Sequence, residues 1–139
     1  MSLEQYGRLL NLLLECERAG AKLLSAYCDE LPADSELHAR LSLVQRDEAR
    51  NCSVLIHLIL EAGLQPGTEV GSFYRKGLQI RGWPERMAFL NRGQQWVADR
   101  IAAALPDVPM SLGRKPLQAM YESHVANIQL CEEPAQVLR

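Results

Sequence analysis

Residues 41–60 read LSLVQRDEARNCSVLIHLIL, and the side on which Glu48 falls decides the fold. At about 100° per residue, Leu37, Leu41, Val44, Glu48, Asn51, Cys52, Leu55 and Ile59 share one side of a helix, the spacing of a core-facing stripe. A carboxyl and an amide therefore lie mid-stripe. Burying an ionised carboxylate without a partner costs on the order of several kcal/mol, comparable to the stability margin of a whole domain. Glu48 must find a proton, a cation or hydrogen-bond donors on the helices packed against it.

Upstream, the first helix is predicted over about residues 3–28, with Tyr6, Leu10, Leu13, Glu17, Ala21, Leu24 and Cys28 on one stripe and Glu17 at its centre. A second apolar stripe, Leu9, Leu12, Cys16, Ala19, Leu23 and Tyr27, makes this helix apolar around more than half its girth. It calls for cover from the later linker or from another subunit. Leu31-Pro32 ends the helix, and Asp34 suits the N-cap of a second helix over about 34–62. Gly63 and Pro66-Gly67 stop that helix. The short loop makes the pair an antiparallel hairpin.

Residues 63–83, GLQPGTEVGSFYRKGLQIRGW, hold five glycines and one short periodic piece, Ser72 to Ile80. A helix of about 26 residues is roughly 39 Å long, and a crossover of this length can carry the chain back along it. The third helix should then run parallel to the second. Pro84 suits its first position, and the helix is expected over about 84–105 with Met87, Leu90, Gln94, Val97, Ile101 and Leu105 as its stripe. The fourth, over about 112–132 with Ser111 as a candidate N-cap, carries Leu117, Met120, Tyr121, His124, Asn127, Ile128 and Cys131. The last five residues read as frayed.

Length and composition fit this reading. A chain of 139 residues, 47% hydrophobic, 23% charged and 6% aromatic, suits a single soluble helical domain over 1–139 with a continuous core. Four cysteines show no CxxC pair and no zinc-type spacing, which suits small buried thiols in a reducing compartment. The N-terminal stretch has no basic n-region, and its apolar run is broken by Asn11, so neither a signal peptide nor a membrane span is expected. The expected location is cytoplasmic. The charge of −2 lacks the basic face of a nucleic-acid domain.

Every long helix carries a polar side chain near its midpoint and in its apolar stripe: Glu17, Glu48 with Asn51, Gln94, and His124 with Asn127. In a four-helix bundle the midpoints share one height, so these six side chains can meet in a polar belt. Carboxylates and imidazole at i, i+3 spacing are also how bundles hold metal ions, because they converge without distorting the backbone.

The order of elements over nearly the whole chain resembles the ferritin-like superfamily. The segments LLLECERAG, QRDEARNC, AFLNRGQQWV and HVANI resemble, more narrowly, an uncharacterised bacterial family of small ferritin-like domains. The resemblance implies an all-α, ferritin-like four-helix bundle, two antiparallel hairpins joined by a long crossover that contains a short helix. In that superfamily Glu on one helix and Glu-x-x-His on the next occur twice and hold two irons. Here Glu17 matches the first glutamate, Glu48-x-x-Asn51 and His124-x-x-Asn127 depart from Glu-x-x-His, and Gln94 replaces the second single glutamate. Two divalent ions carry more positive charge than Glu17 and Glu48 can offset. The implied di-iron centre is degenerate.

Two function classes follow. The first is a binding or interaction module with no resident cofactor, in which Asn51, Gln94, Asn127 and His124 donate to the two acids, and which forms a homodimer through the second stripe of the first helix. The other is a mononuclear oxidoreductase or hydroxylase whose single Fe, Mn or Zn ion is held by Glu17, Glu48 and His124, with Asn51, Gln94, Tyr121 and Asn127 orienting water or substrate around it. Thiolate ligation by Cys16 or Cys52 would need a lowered pKa. Phe73, Tyr74 and Trp83 with Arg75, Lys76, Arg81 and Arg86 suggest a weaker nucleotide or RNA surface over 73–86. The competing expectation is that these aromatics anchor the crossover and its cations are solvated. Asp47, His57 and the arginines of the second and third helices are expected at the surface.

Overall fold

A computed structural model describes residues 1–133. The expectation of frayed last residues lies outside that range. Among the described residues the chain is helical without strands, with five α-helices: α1 (Leu3–Asp29), α2 (Glu36–Glu61), α3 (Phe73–Leu78), α4 (Trp83–Ala104) and α5 (Arg114–Glu132). Two 3-10 turns, Leu105–Asp107 and Met110–Leu112, link α4 to α5. None of the described helices is long and apolar enough to cross a membrane.

The helix starts follow local chemistry, with shifts from the sequence reading. Ser2 and Gln5 form a capping box on α1, each satisfying a backbone N–H that the first turn leaves free. Ser35, not Asp34, caps α2, its hydroxyl accepting from the His38 N–H at 3.1 Å. A hydroxyl at this position satisfies the same first-turn donor, and Ser35 is itself buried. Helix α4 begins at Trp83, one residue early, with Gly82 at its N-cap and Pro84 in its first turn. Ser111 lies in the second 3-10 turn. The N-cap of α5 is Gly113, whose φ of 107° is a left-handed conformation that glycine adopts without strain.

Burial follows the predicted stripes and divides into two apolar clusters. One gathers Tyr6 to Leu14 of α1, Leu55 to Ile59 of α2, Val97 and Ile101 of α4, and Leu117 and Met120 of α5. The other gathers Leu23 to Cys28 of α1, Leu37 to Val44 of α2, Leu90 of α4 and Cys131 of α5. Along α1 and α5 the chain passes from the first cluster to the second; along α2 and α4 it passes from the second to the first. Helices α2 and α4 thus run the same way, as the length of the crossover predicts. The closest pairings are α1 with α2 and α4 with α5, and α2–α5 and α1–α4 contacts join the pairs.

The crossover covers the C-terminal part of the second stripe of α1. Leu23 and Tyr27 are fully buried, with Phe73 and Tyr74 packed against their cluster. The Tyr27 hydroxyl donates to the Gly77 carbonyl at 2.7 Å, and a Cβ on Gly77 would stand 2.4 Å from the Leu23 side chain. Leu9, Leu12 and Cys16, nearer the start of that stripe, are half-buried.

Arg86 corrects the expectation that the basic residues of 73–86 are solvated. It is 6% exposed, and its Nε donates to the Ile80 carbonyl at 2.8 Å. Its guanidinium pairs with Glu30 at 3.1 Å and lies 4.6 Å from the ring centroids of both Tyr27 and Trp83. A planar cation can stack and donate in-plane at once, which a lysine ammonium cannot. Arg86→Ala is expected to lower stability by about 2 kcal/mol through the lost stacking and charge-assisted bonds. Arg86→Lys should recover less than half of that, read as the urea midpoint at constant m-value.

Candidate functional site

Helical spacing brings the predicted polar side chains to the level between the two apolar clusters. Glu17 and His124 are each 1% exposed, and Glu17 Oε1 lies 2.5 Å from His124 Nε2. The Asn51 amide donates to the same oxygen at 3.2 Å. His124 Nδ1 lies 3.1 Å from Gln94 Oε1. One network thus joins α1, α2, α4 and α5 through Glu17, Asn51, Gln94 and His124. The imidazole is thereby held at both ring nitrogens, between α1 and α4.

Other belt residues fall elsewhere. Asn127 is buried, but its amide donates to Asp47 Oδ2 at 3.2 Å. Ser123 donates to the same oxygen at 3.3 Å, and Arg50 pairs with the other carboxylate oxygen at 3.2 Å. Asp47 is therefore a half-buried acceptor tying α2 to α5, not the solvated acid expected from the helical wheel. Tyr121 packs against the first apolar cluster. His57 is exposed and pairs with Glu61, as expected of a surface histidine. Burial pushes the Cys16 thiol up to about 12 and Cys52 up to about 11, with the Glu17 carboxylate adding to both shifts. Both thiols stay protonated, the opposite of what ligation needs.

Glu48 differs from Glu17 in having donors withheld. It is 5% exposed, and its Oε2 has no hydrogen-bond partner. Burial raises its carboxyl well above the usual carboxylate range, and the charges of Glu17 and then Asp47 raise it further. The carboxyl fits because residue 20 is glycine: a Cβ there would stand 2.1 Å from Glu48 Oε2. Glu17 Oε2 is likewise buried without a partner.

These two acids line a cavity of about 530 Å³ between α1, α3 and α4. Leu12, Phe73, Phe89, Leu90, Trp96 and Val97 line it with apolar surface, Gln94 joins Glu17 and Glu48, and Glu15 and Lys76 also line it. Phe73 and Phe89 stack with centroids 4.4 Å apart. A Cβ on Gly93 would meet the Phe73 ring at 2.6 Å, so that glycine admits the ring against α4. Sequence reasoning found the acids but not the cavity. The two glycines that shape it, 20 and 93, carry no side-chain chemistry to mark them.

The donor set can be compared with a metal site. His124 has a partner at each nitrogen, and Glu17 Oε1 has two. With His124 engaged at both nitrogens, only Glu17 and Glu48 of the expected ligand set offer unpartnered oxygens, short of the three protein ligands of a mononuclear site. Among the described residues no group of three or more His, Cys, Asp or Glu side chains is placed to hold a metal ion.

Residues 6–133 match a family model described as "Domain of unknown function (DUF6306)". No curated protein and no solved structure matches the chain.

The state of Glu48 has a measurable sign. Its carboxyl is raised in the folded chain relative to the unfolded one, so its contribution to stability is complete below the unfolded value and is lost as pH rises towards the folded value. Glu48→Gln keeps the shape and removes the titration. The variant is expected to exceed the parent in stability by about 1–3 kcal/mol above the usual carboxylate range. That gain should grow as pH rises from the usual carboxylate range towards the raised folded value, in thermal melts recorded along that rise.

Proposed function

The chain belongs to the DUF6306 family, and we propose that it is a small-molecule binding module on a ferritin-like four-helix bundle, with a hydrogen-bonded belt where a di-iron centre would lie. The observation that carries the reading is the cavity of about 530 Å³ lined by apolar side chains and by two buried carboxyls with unpartnered oxygens. Binding sites for small ligands combine these elements: a concave apolar wall and a few placed polar atoms that fix orientation. The shared direction of α2 and α4 and the crossover between two helix pairs support the ferritin-like topology. The four cysteines are free, which supports a reducing, cytosolic setting. A dimer through the second stripe of α1 would rest on Leu9, Leu12 and Cys16, since the crossover covers Leu23 and Tyr27.

The mononuclear oxidoreductase or hydroxylase built on Glu17, Glu48 and His124 is the weaker reading. The unpartnered oxygens of the two acids favour it, whereas the engagement of both His124 nitrogens weighs against it. A nucleotide or RNA surface over 73–86 has less support, since Arg86 is buried in the packing of the crossover.

The proposal is tested by titrating the protein with 2-phenylethanol while recording amide and indole resonances. Saturable shifts are expected at Gly20, Gly93 and the Trp96 indole, with a dissociation constant on the order of millimolar or tighter for so small a ligand. Leu12→Trp, which fills the cavity from α1, should abolish them. Shifts that survive in Leu12→Trp would overturn the binding reading, as would the absence of saturable shifts with this alcohol and with the ammonium and carboxylate probes of the same shape. Elemental analysis of protein purified without chelator decides the metal reading, which requires about one equivalent of Fe, Mn or Zn per chain.

A further inference from the structure

We propose that the cavity selects ligands that carry a primary ammonium group on an apolar stem. The inference rests on the binding reading above and names the ligand class that the cavity takes.

The buried polar atoms of the lining that lack a partner are both carboxyl oxygens. Glu17 Oε2 and Glu48 Oε2 are buried acceptors with no donor. The two belt donors are already committed: Asn51 donates to Glu17 Oε1, and His124 lies between Glu17 and Gln94. A ligand that brings several N–H or O–H groups can satisfy both oxygens at once. An alcohol brings one, an ammonium three.

Charge points the same way. Glu48 is buried within the field of Glu17 and Asp47, so a second anion at this point is repelled and a cation is attracted. A carboxylate-headed ligand is thereby disfavoured. The only cation lining the cavity among the described residues is Lys76, which is exposed. Above the acids the walls are aromatic, with Phe73, Phe89 and Trp96 lining the space. Such walls accept an apolar stem and also favour cations over anions.

Three probes of one shape separate the possibilities: 2-phenylethylammonium, 2-phenylethanol and 3-phenylpropionate, each titrated by calorimetry and by amide resonances. The amine is expected to bind about tenfold or more tighter than the alcohol, the scale of one charge-assisted hydrogen bond. The carboxylate should bind more weakly than the alcohol. In Glu48→Gln the amine-to-alcohol affinity ratio should fall about tenfold, and resonance dispersion shows that the variant is folded. Arg8→Ala, at an exposed cation of α1 outside the cavity, should leave the ratio unchanged. Equal affinities for amine and alcohol, tighter binding of the carboxylate, or an unchanged ratio in Glu48→Gln would overturn the ammonium inference while leaving a binding site. Failure of all three probes would overturn the binding reading itself.

Discussion

The contact between Glu17 and His124 is the constraint on which the rest of the helix packing depends. Two side chains that are each 1% exposed meet across α1 and α5, with Asn51 of α2 and Gln94 of α4 completing the hydrogen bonds. Apolar clusters lie to either side of this level. Apolar packing tolerates small slides of one helix along another, because Leu faces Leu again after a turn. A buried acid and imidazole do not, since a slide of one turn, about 5.4 Å, would leave both without partners at a cost of on the order of several kcal/mol. The belt therefore sets the register and apolar burial supplies the drive.

Glu48 lies at the same level, and the contrast with Glu17 shows where structure gives way to chemistry. Glu17 has two donors on one oxygen; Glu48 faces a glycine. Any side chain at position 20 would collide with its carboxyl, so α1 approaches α2 with bare backbone where a donor could have been offered. The Asn51 amide is engaged by Glu17, and Asn127 is held by Asp47. The side-chain donors of α2 and α5 at this level are thus assigned to the other two acids.

Much of this was legible in the sequence. The helical stripes locate the four long helices, and the length of 63–83 fixes the shared direction of α2 and α4, since a short turn could not have returned the chain. Mid-stripe placement finds Glu17, Glu48, Asn51, Gln94, His124 and Asn127, all buried. What the wheel cannot show is azimuth to within one residue. Asn127 faces Asp47 rather than Glu48, because α5 meets α2 on the flank of its stripe. Arg86 was illegible for a different reason: its burial depends on Tyr27, Trp83 and Glu30 converging from separate elements, and a cation among glycines reads as solvated. Gly20 and Gly93 matter through absent atoms, which no pattern of side chains records.

The cavity, the unpartnered oxygens and the glycines that accommodate them occupy one place, and this coincidence is itself an argument. A void forfeits packing contacts, and a buried acceptor without a donor costs about 1–3 kcal/mol. Against a margin of roughly 5–15 kcal/mol, both would be expected to be lost if they did nothing. Neither would be hard to remove in this fold: an amide at 48 or a larger side chain at 12 would do it without moving a helix. Instead the crossover is anchored away from the void, by Tyr27 on Gly77 and by Arg86 among Tyr27, Trp83 and Glu30. Packing strength thus sits at one end of α3, while Phe73 and Phe89 close the other over the acids. Departures from good packing and from satisfied polarity that concentrate in one spot mark a site rather than a defect.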